Sequence, residues 1–101
     1  MNPAQDIGVE TRVARTSNTA LVKADNKKFI DITSGTFTQT FNSASSLGAG
    51  WRVTIRNSGS GDITLGSTVD SVSNMVLYTG DSRDIFSDGT NLYSNLSLIH
   101  I

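Results

Sequence analysis

The sequence predicts an all-β domain: a small sandwich or barrel of about eight or nine short antiparallel strands, preceded by an extended N-terminal arm. Three observations point there. Apolar side chains recur at every second position in short runs, most clearly Trp51, Val53 and Ile55. Turn chemistry at Asp25-Asn26, Ser34-Gly35, Ser58 to Gly61, Gly80-Asp81 and Asp88-Gly89 separates these runs, and the eight or nine strands so read recur at roughly eight to twelve residues, as in all-β domains. Only residues 42–50 carry helix signals, and that stretch is too short to stand alone.

Taken in order, residues 1–16 hold isolated Ile7, Val9 and Val13 among charges, and neither helical nor strand periodicity runs through them. Two readings are open: a frayed end, or an arm that orders on another surface. The expectation is the arm, spanning residues 1–18, with the β domain at 19–101. In that arm Ile7, Val9 and Val13 would fill pockets on a neighbouring subunit or a larger assembly, and Arg12 and Arg15 would pair with acidic groups there.

Residues 19–24 read as a first strand and residues 28–32 as a second, which brings Phe29 and Ile30 towards the core. Residues 36–41 alternate Phe37 and Phe41 with threonines, a pattern that suits a pleated, half-buried surface. In the helical scrap, Asn42 or Ser43 caps and Gly48 or Gly50 closes. Residues 51–57 form the best-patterned strand, with Trp51, Val53 and Ile55 facing one way and Arg52, Thr54 and Arg56 the other. Gly59 and Gly61 then mark a turn, from which residues 62–65 are expected to return as a hairpin partner. Residues 67–73 are a loop or an edge strand, and residues 74–78 are strand-like. Residues 82–87 follow, with Ile85 and Phe86 near the middle. Asp88-Gly89 turns the chain into residues 90–94, and residues 95–101 finish it.

Size and composition bound the rest. A chain of 101 residues with 34 Ser, Thr and Asn has a small core. Ordering costs ~1.5 kcal/mol per residue, which burial in such a domain roughly cancels. There is no cysteine for a disulfide or a thiolate zinc site, so self-association is the expected reinforcement. The formal charge of −1 gives no reason to expect nucleic acid or an anionic membrane as partner. No run of ~18 apolar residues is present to span a bilayer. The first six residues lack a signal-peptide pattern, so synthesis in the cytoplasm is expected.

Catalytic chemistry finds little to work with. His100 is the only histidine, one residue from the end of the sequence, a poor position for the base of a triad. Asp81, Asp84 and Asp88 lack the spacing of a calcium loop and are read as turn and surface residues. The Gly59–Gly61 stretch has no Lys-Ser/Thr after it to make a phosphate cradle. Trp51 could serve as a sugar platform, but its register with Val53 and Ile55 favours the core. Lys23, Lys27 and Lys28 read as a solubilising edge device. No cofactor and no metal are expected.

The ordered series of short motifs carries a resemblance. It comprises Ala24-Asp25-x-x-Lys28, the threonine-rich residues 36–41 and Gly48-Ala49-Gly50-Trp51. It continues with Val53-x-Ile55-x-Asn57-x-Gly59-x-Gly61-x-Ile63-Thr64-Leu65 and ends at residues 87–93, with Leu92 where tryptophan is usual. Across about three quarters of the chain it resembles a module of tailed-bacteriophage virion proteins: trimeric β-structured fibre tips, head fibres and capsid decoration proteins. The resemblance implies a non-enzymatic homotrimer located in the virion, with the major capsid protein or other virion proteins as partners. Capsid decoration, or cement, is the expected role, because little sequence precedes the β region. The alternative is a tail-fibre or tail-tip knob recognising a host surface polysaccharide.

Overall fold

The computed structural model describes residues 11–96. Its strands are β1 (Thr11–Arg15), β2 (Lys28–Ile32), β3 (Phe37–Gln39), β4 (Ala49–Asn57), β5 (Ile63–Leu65), β6 (Val76–Leu77), β7 (Ser82–Asp88) and β8 (Leu92–Leu96). One helical turn, α1 (Ala44–Leu47), and a 3-10 turn at Lys23–Asp25 complete the described elements. Five strands form a sheet in the order β1-β2-β4-β7-β8, and three form a second sheet, β3-β5-β6. A single apolar cluster draws Ile30, Ile32, Val53, Ile55 and Ile85 from the larger sheet and Ile63, Leu65 and Leu77 from the smaller. The fold is therefore all-β, two sheets around a shared core, and not a closed barrel.

Alternation decides which side chains enter that core. Along β4, Trp51, Val53, Ile55 and Asn57 are buried while Arg52 is exposed. Trp51 is 2% exposed, and its indole Nε1 donates to Val22 O at 3.1 Å. The ring meets Phe41 edge-on at 6.4 Å, the geometry that aromatic quadrupoles favour. Where two apolar residues are adjacent, only one can face inwards. Ile30 and Ile85 take the core, and their neighbours Phe29 and Phe86 are left half-buried on the other face. The expectation that both phenylalanines are core residues is corrected accordingly.

The pairing departs from an antiparallel pattern. β1 and β2, β2 and β4, and β3 and β5 run parallel; β4 with β7, β5 with β6, and β7 with β8 run antiparallel. The expected hairpin between residues 51–57 and 62–65 does not form. Both flanks of β4 are occupied by β2 and β7, so β5 crosses to the other sheet. Asn57 anchors this crossing from within the core. Its amide nitrogen donates to Gly61 O at 2.7 Å and Leu77 O at 2.9 Å, and its oxygen accepts from Gly59 N. Gly59 and Gly61 serve close approach here and not a hairpin turn. A Cβ on Gly59 would sit 2.9 Å from Ser34 Cα, and one on Gly61 2.5 Å from Gly35 O.

The first predicted strand is also replaced. Only Leu21 bridges, to Phe41, before the chain enters its 3-10 turn. Asp25 accounts for that turn: its Oδ2 accepts from Val22 N at 2.9 Å and its Oδ1 from Lys28 Nζ at 3.2 Å. In α1, Ser43 accepts from Ser46 N, as an N-cap does, and Gly48 closes the turn at φ 95°. Residues 67–73 form a loop in which Val69 bridges Val72 and Leu92. Asp70 there covers the outer edge of β8, accepting from Ser94 N at 2.9 Å.

Candidate binding face

Period 2 gives the larger sheet two faces, and only one meets the smaller sheet. By register the other face carries Arg12 of β1, Phe29 and Asp31 of β2, Arg52, Thr54 and Arg56 of β4, Asp84 and Phe86 of β7, and Tyr93 and Asn95 of β8. Arg52 lies opposite Phe86, which lies opposite Tyr93; the next row runs Phe29, Thr54, Asp84, Asn95. The two rings of the first row have centroids 6.2 Å apart and tilt by 34°.

A shallow depression of about 380 Å³ lies in this face, lined by Gly50, Arg52, Thr54, Asp84, Phe86 and Asn95 among others. Its end is opened by a bulge: the register shifts between Ala49 and Arg52, and Gly50 there sits at φ 88°, a conformation that glycine adopts without strain. Thr54 Oγ1 donates to Asp84 Oδ1 at 2.6 Å, which fixes a carboxylate that lines the depression. Arg52 has no carboxylate within ion-pair distance among the described residues, whose two ion pairs are Arg12–Asp31 and Lys28–Asp25.

At the β1 side, Arg12 donates to Asp31 Oδ2 from both Nε, at 3.0 Å, and Nη2, at 2.8 Å. Ser58 Oγ donates to Asp31 Oδ1 at 2.6 Å. Burial alone would raise the pKa of this carboxyl. The hydrogen bonds from Ser58 and Arg12, with the charges of Arg12 and Arg56, outweigh burial and hold it below the usual carboxylate range.

This corrects the docking-arm assignment in part. Arg12, Val13 and Arg15 belong to β1: Arg12 pairs within the sheet, Val13 packs against the core, and Arg15 donates to Thr19 O. Parallel pairing to β2 supplies the order that the irregular apolar spacing of residues 1–16 concealed. Ile7 and Val9 lie outside the described residues, as does His100. Ile30, Trp51, Val53 and Ile55 are all buried. At the Asp88-Gly89 turn, Asp88 Oδ1 accepts from Thr90 N and Asn91 N at 2.8 Å, and Gly89 takes φ 92°. The backbone amides of Asn91 and Thr90 hold the Asp88 carboxyl below its ordinary pKa.

Of the clustered aspartates, Asp81 caps Tyr78 N and Asp88 caps its own turn, while Asp84 alone faces the depression. Sequence reasoning placed Arg52, Thr54 and Arg56 on one outward face but did not join Phe86, Tyr93 and Asn95 to it. The signal that could have done so is the shared period of residues 82–96. Among the described residues no three His, Cys, Asp or Glu side chains gather as metal ligands, and no helix is long and apolar enough to cross a membrane. The face presents aromatic surface, a guanidinium with no ion-pair partner among the described residues, a positioned carboxylate and an amide. In comparisons with protein-family models, curated proteins and solved structures, the chain found no match.

Proposed function

We propose that the chain is a non-enzymatic structural protein of a bacteriophage particle, a homotrimeric capsid decoration protein. One observation carries the reading: the polar and glycine residues at the joints of the motif series have tasks in building the fold. Asp25 ties the 3-10 turn to Lys28. Asn57, Gly59 and Gly61 make the crossing between sheets. Ser87 Oγ donates to Ala44 O and accepts from Gly89 N, joining α1 to the last turn. A motif series of this kind specifies an architecture, so a chain that shares it is a candidate for the same trimeric module. Asp25, Asn57, Ser87 and Asp88 of the series spend side-chain oxygens or amides on the chain's own backbone, which favours a structural role over a catalytic one.

Docking is assigned to the residues ahead of β1, including Ile7 and Val9, with the virion as location and the major capsid protein as partner. Three such segments per trimer would make weak contacts add up. The test is to mix undecorated particles with the full chain and with a chain lacking residues 1–10. The reading expects dense decoration by the first and little by the second; equal decoration would move docking to the β domain, and none by either would remove the capsid role. A tail-tip knob that recognises a host polysaccharide is the second reading, favoured by the open aromatic face. Copy number separates the two, since hundreds per particle mean decoration and a handful mean tail.

A further inference from the structure

We infer that the depression on the outer face of the five-stranded sheet is a binding site for an acidic saccharide, a sugar ring that carries a carboxylate. The inference goes beyond the structural role and holds at either particle position, provided the face points outwards.

Four groups converge there with complementary chemistry. Phe86, half-buried, lines the depression, and its cross-strand neighbour Tyr93, 37% exposed, extends the apolar ledge beyond it. Such a ledge suits the C–H face of a pyranose, which stacks on aromatic carbon. Asp84 is an acceptor positioned by Thr54, and its second oxygen calls for donors such as sugar hydroxyls. Asn95 is exposed and adds both a donor and an acceptor. Arg52 is exposed, and no carboxylate of the described residues neutralises it. Its forked donors match a carboxylate in bidentate fashion.

Spacing fits the same ligand. Successive outward residues on a strand lie about 7 Å apart, and neighbouring strands about 4.8 Å apart. Arg52 and Asp84 are therefore one row and one strand apart, a separation that one substituted pyranose ring can bridge. The pairing of a free cation with a fixed anion also argues against a polyphosphate backbone, which Asp84 would repel. A neutral sugar would leave Arg52 without its acceptor.

The experiment is a two-dimensional amide NMR titration of the full chain with three acidic probes: trigalacturonate, a heparin tetrasaccharide and sialyllactose. Maltotriose serves as the neutral counterpart and oligothymidylate as the polyphosphate. The inference expects at least one acidic probe to bind saturably in the millimolar range, shifting the amides of Arg52, Phe86 and Asn95. Arg52→Ala and Asp84→Asn should each weaken that binding at least tenfold while preserving the spectrum of the fold. Asp62→Asn, at an exposed position on the chain segment entering the smaller sheet, should leave it unchanged. Failure of all three acidic probes, equal binding of maltotriose, preference for oligothymidylate, or binding indifferent to Arg52→Ala would each overturn it. None of those outcomes bears on decoration of particles, so the two proposals fail separately.

Discussion

At the scale of single residues, the side chains that matter most are those whose polar atoms are buried. Trp51 combines the largest apolar surface in the core with a hydrogen bond to Val22 O, so Trp51→Ala should cost about 3–5 kcal/mol, read from denaturant unfolding. A well-folded variant of unchanged stability would remove Trp51 from the core. Asp31, 6% exposed, makes a different prediction. Its carboxyl has a folded pKa below the ordinary value of 3.8, so the charged form is favoured by folding. Its contribution is therefore full above that value and is lost as pH falls through the folded pKa. Asp31→Asn should destabilise by about 1–3 kcal/mol at neutral pH, and the gap to the parent protein should close at progressively acid pH. Urea unfolding at a series of pH values checks the sign; a gap that widens on acidification contradicts it. The outward half of β4 was legible at this scale, because Arg52, Thr54 and Arg56 alternate with buried residues. The fate of Phe29 and Phe86 was not, because adjacent apolar residues leave the choice of inward face to packing.

At the scale of elements, strand positions were far more legible than strand partners. β2, β4 and β7 lie close to where alternation and turn chemistry put them, and α1 has the Ser43 cap and Gly48 closure that its sequence offered. Partnership depends on contacts distant in sequence. The residues 58–61 carry a good local turn signal, yet β2 and β7 hold both sides of β4, and that long-range pairing overrides the local one. Gly61→Ala tests the crossing directly. Its Cβ would press on Gly35 O and Thr36 Oγ1, so a loss of about 1–3 kcal/mol is expected, whereas a true hairpin turn without those neighbours would tolerate it. Likewise β1 is an edge strand and part of the domain. Deleting residues 1–16 should lower the unfolding midpoint below that of a chain lacking only residues 1–10, through loss of Val13 packing and the Arg12–Asp31 pair. Equal midpoints would return residues 11–16 to the arm.

At the scale of the whole molecule, two small sheets share a core of modest size, and the outer face of the larger one carries aromatic rings and an arginine with no ion-pair partner among the described residues. The all-β class was legible from period and turns; the mixed parallel pairing was not, since residue patterns do not encode strand direction. The site was half legible: its β4 side followed from alternation, and its β7–β8 side required the strand order. The account as a whole turns on self-association, because the small core invites it and the proposed decoration role requires a homotrimer. Light scattering on the full chain at micromolar concentration tests this most directly. The account predicts a mass three times that of the 10.8 kDa chain, and a mass of one chain would contradict it.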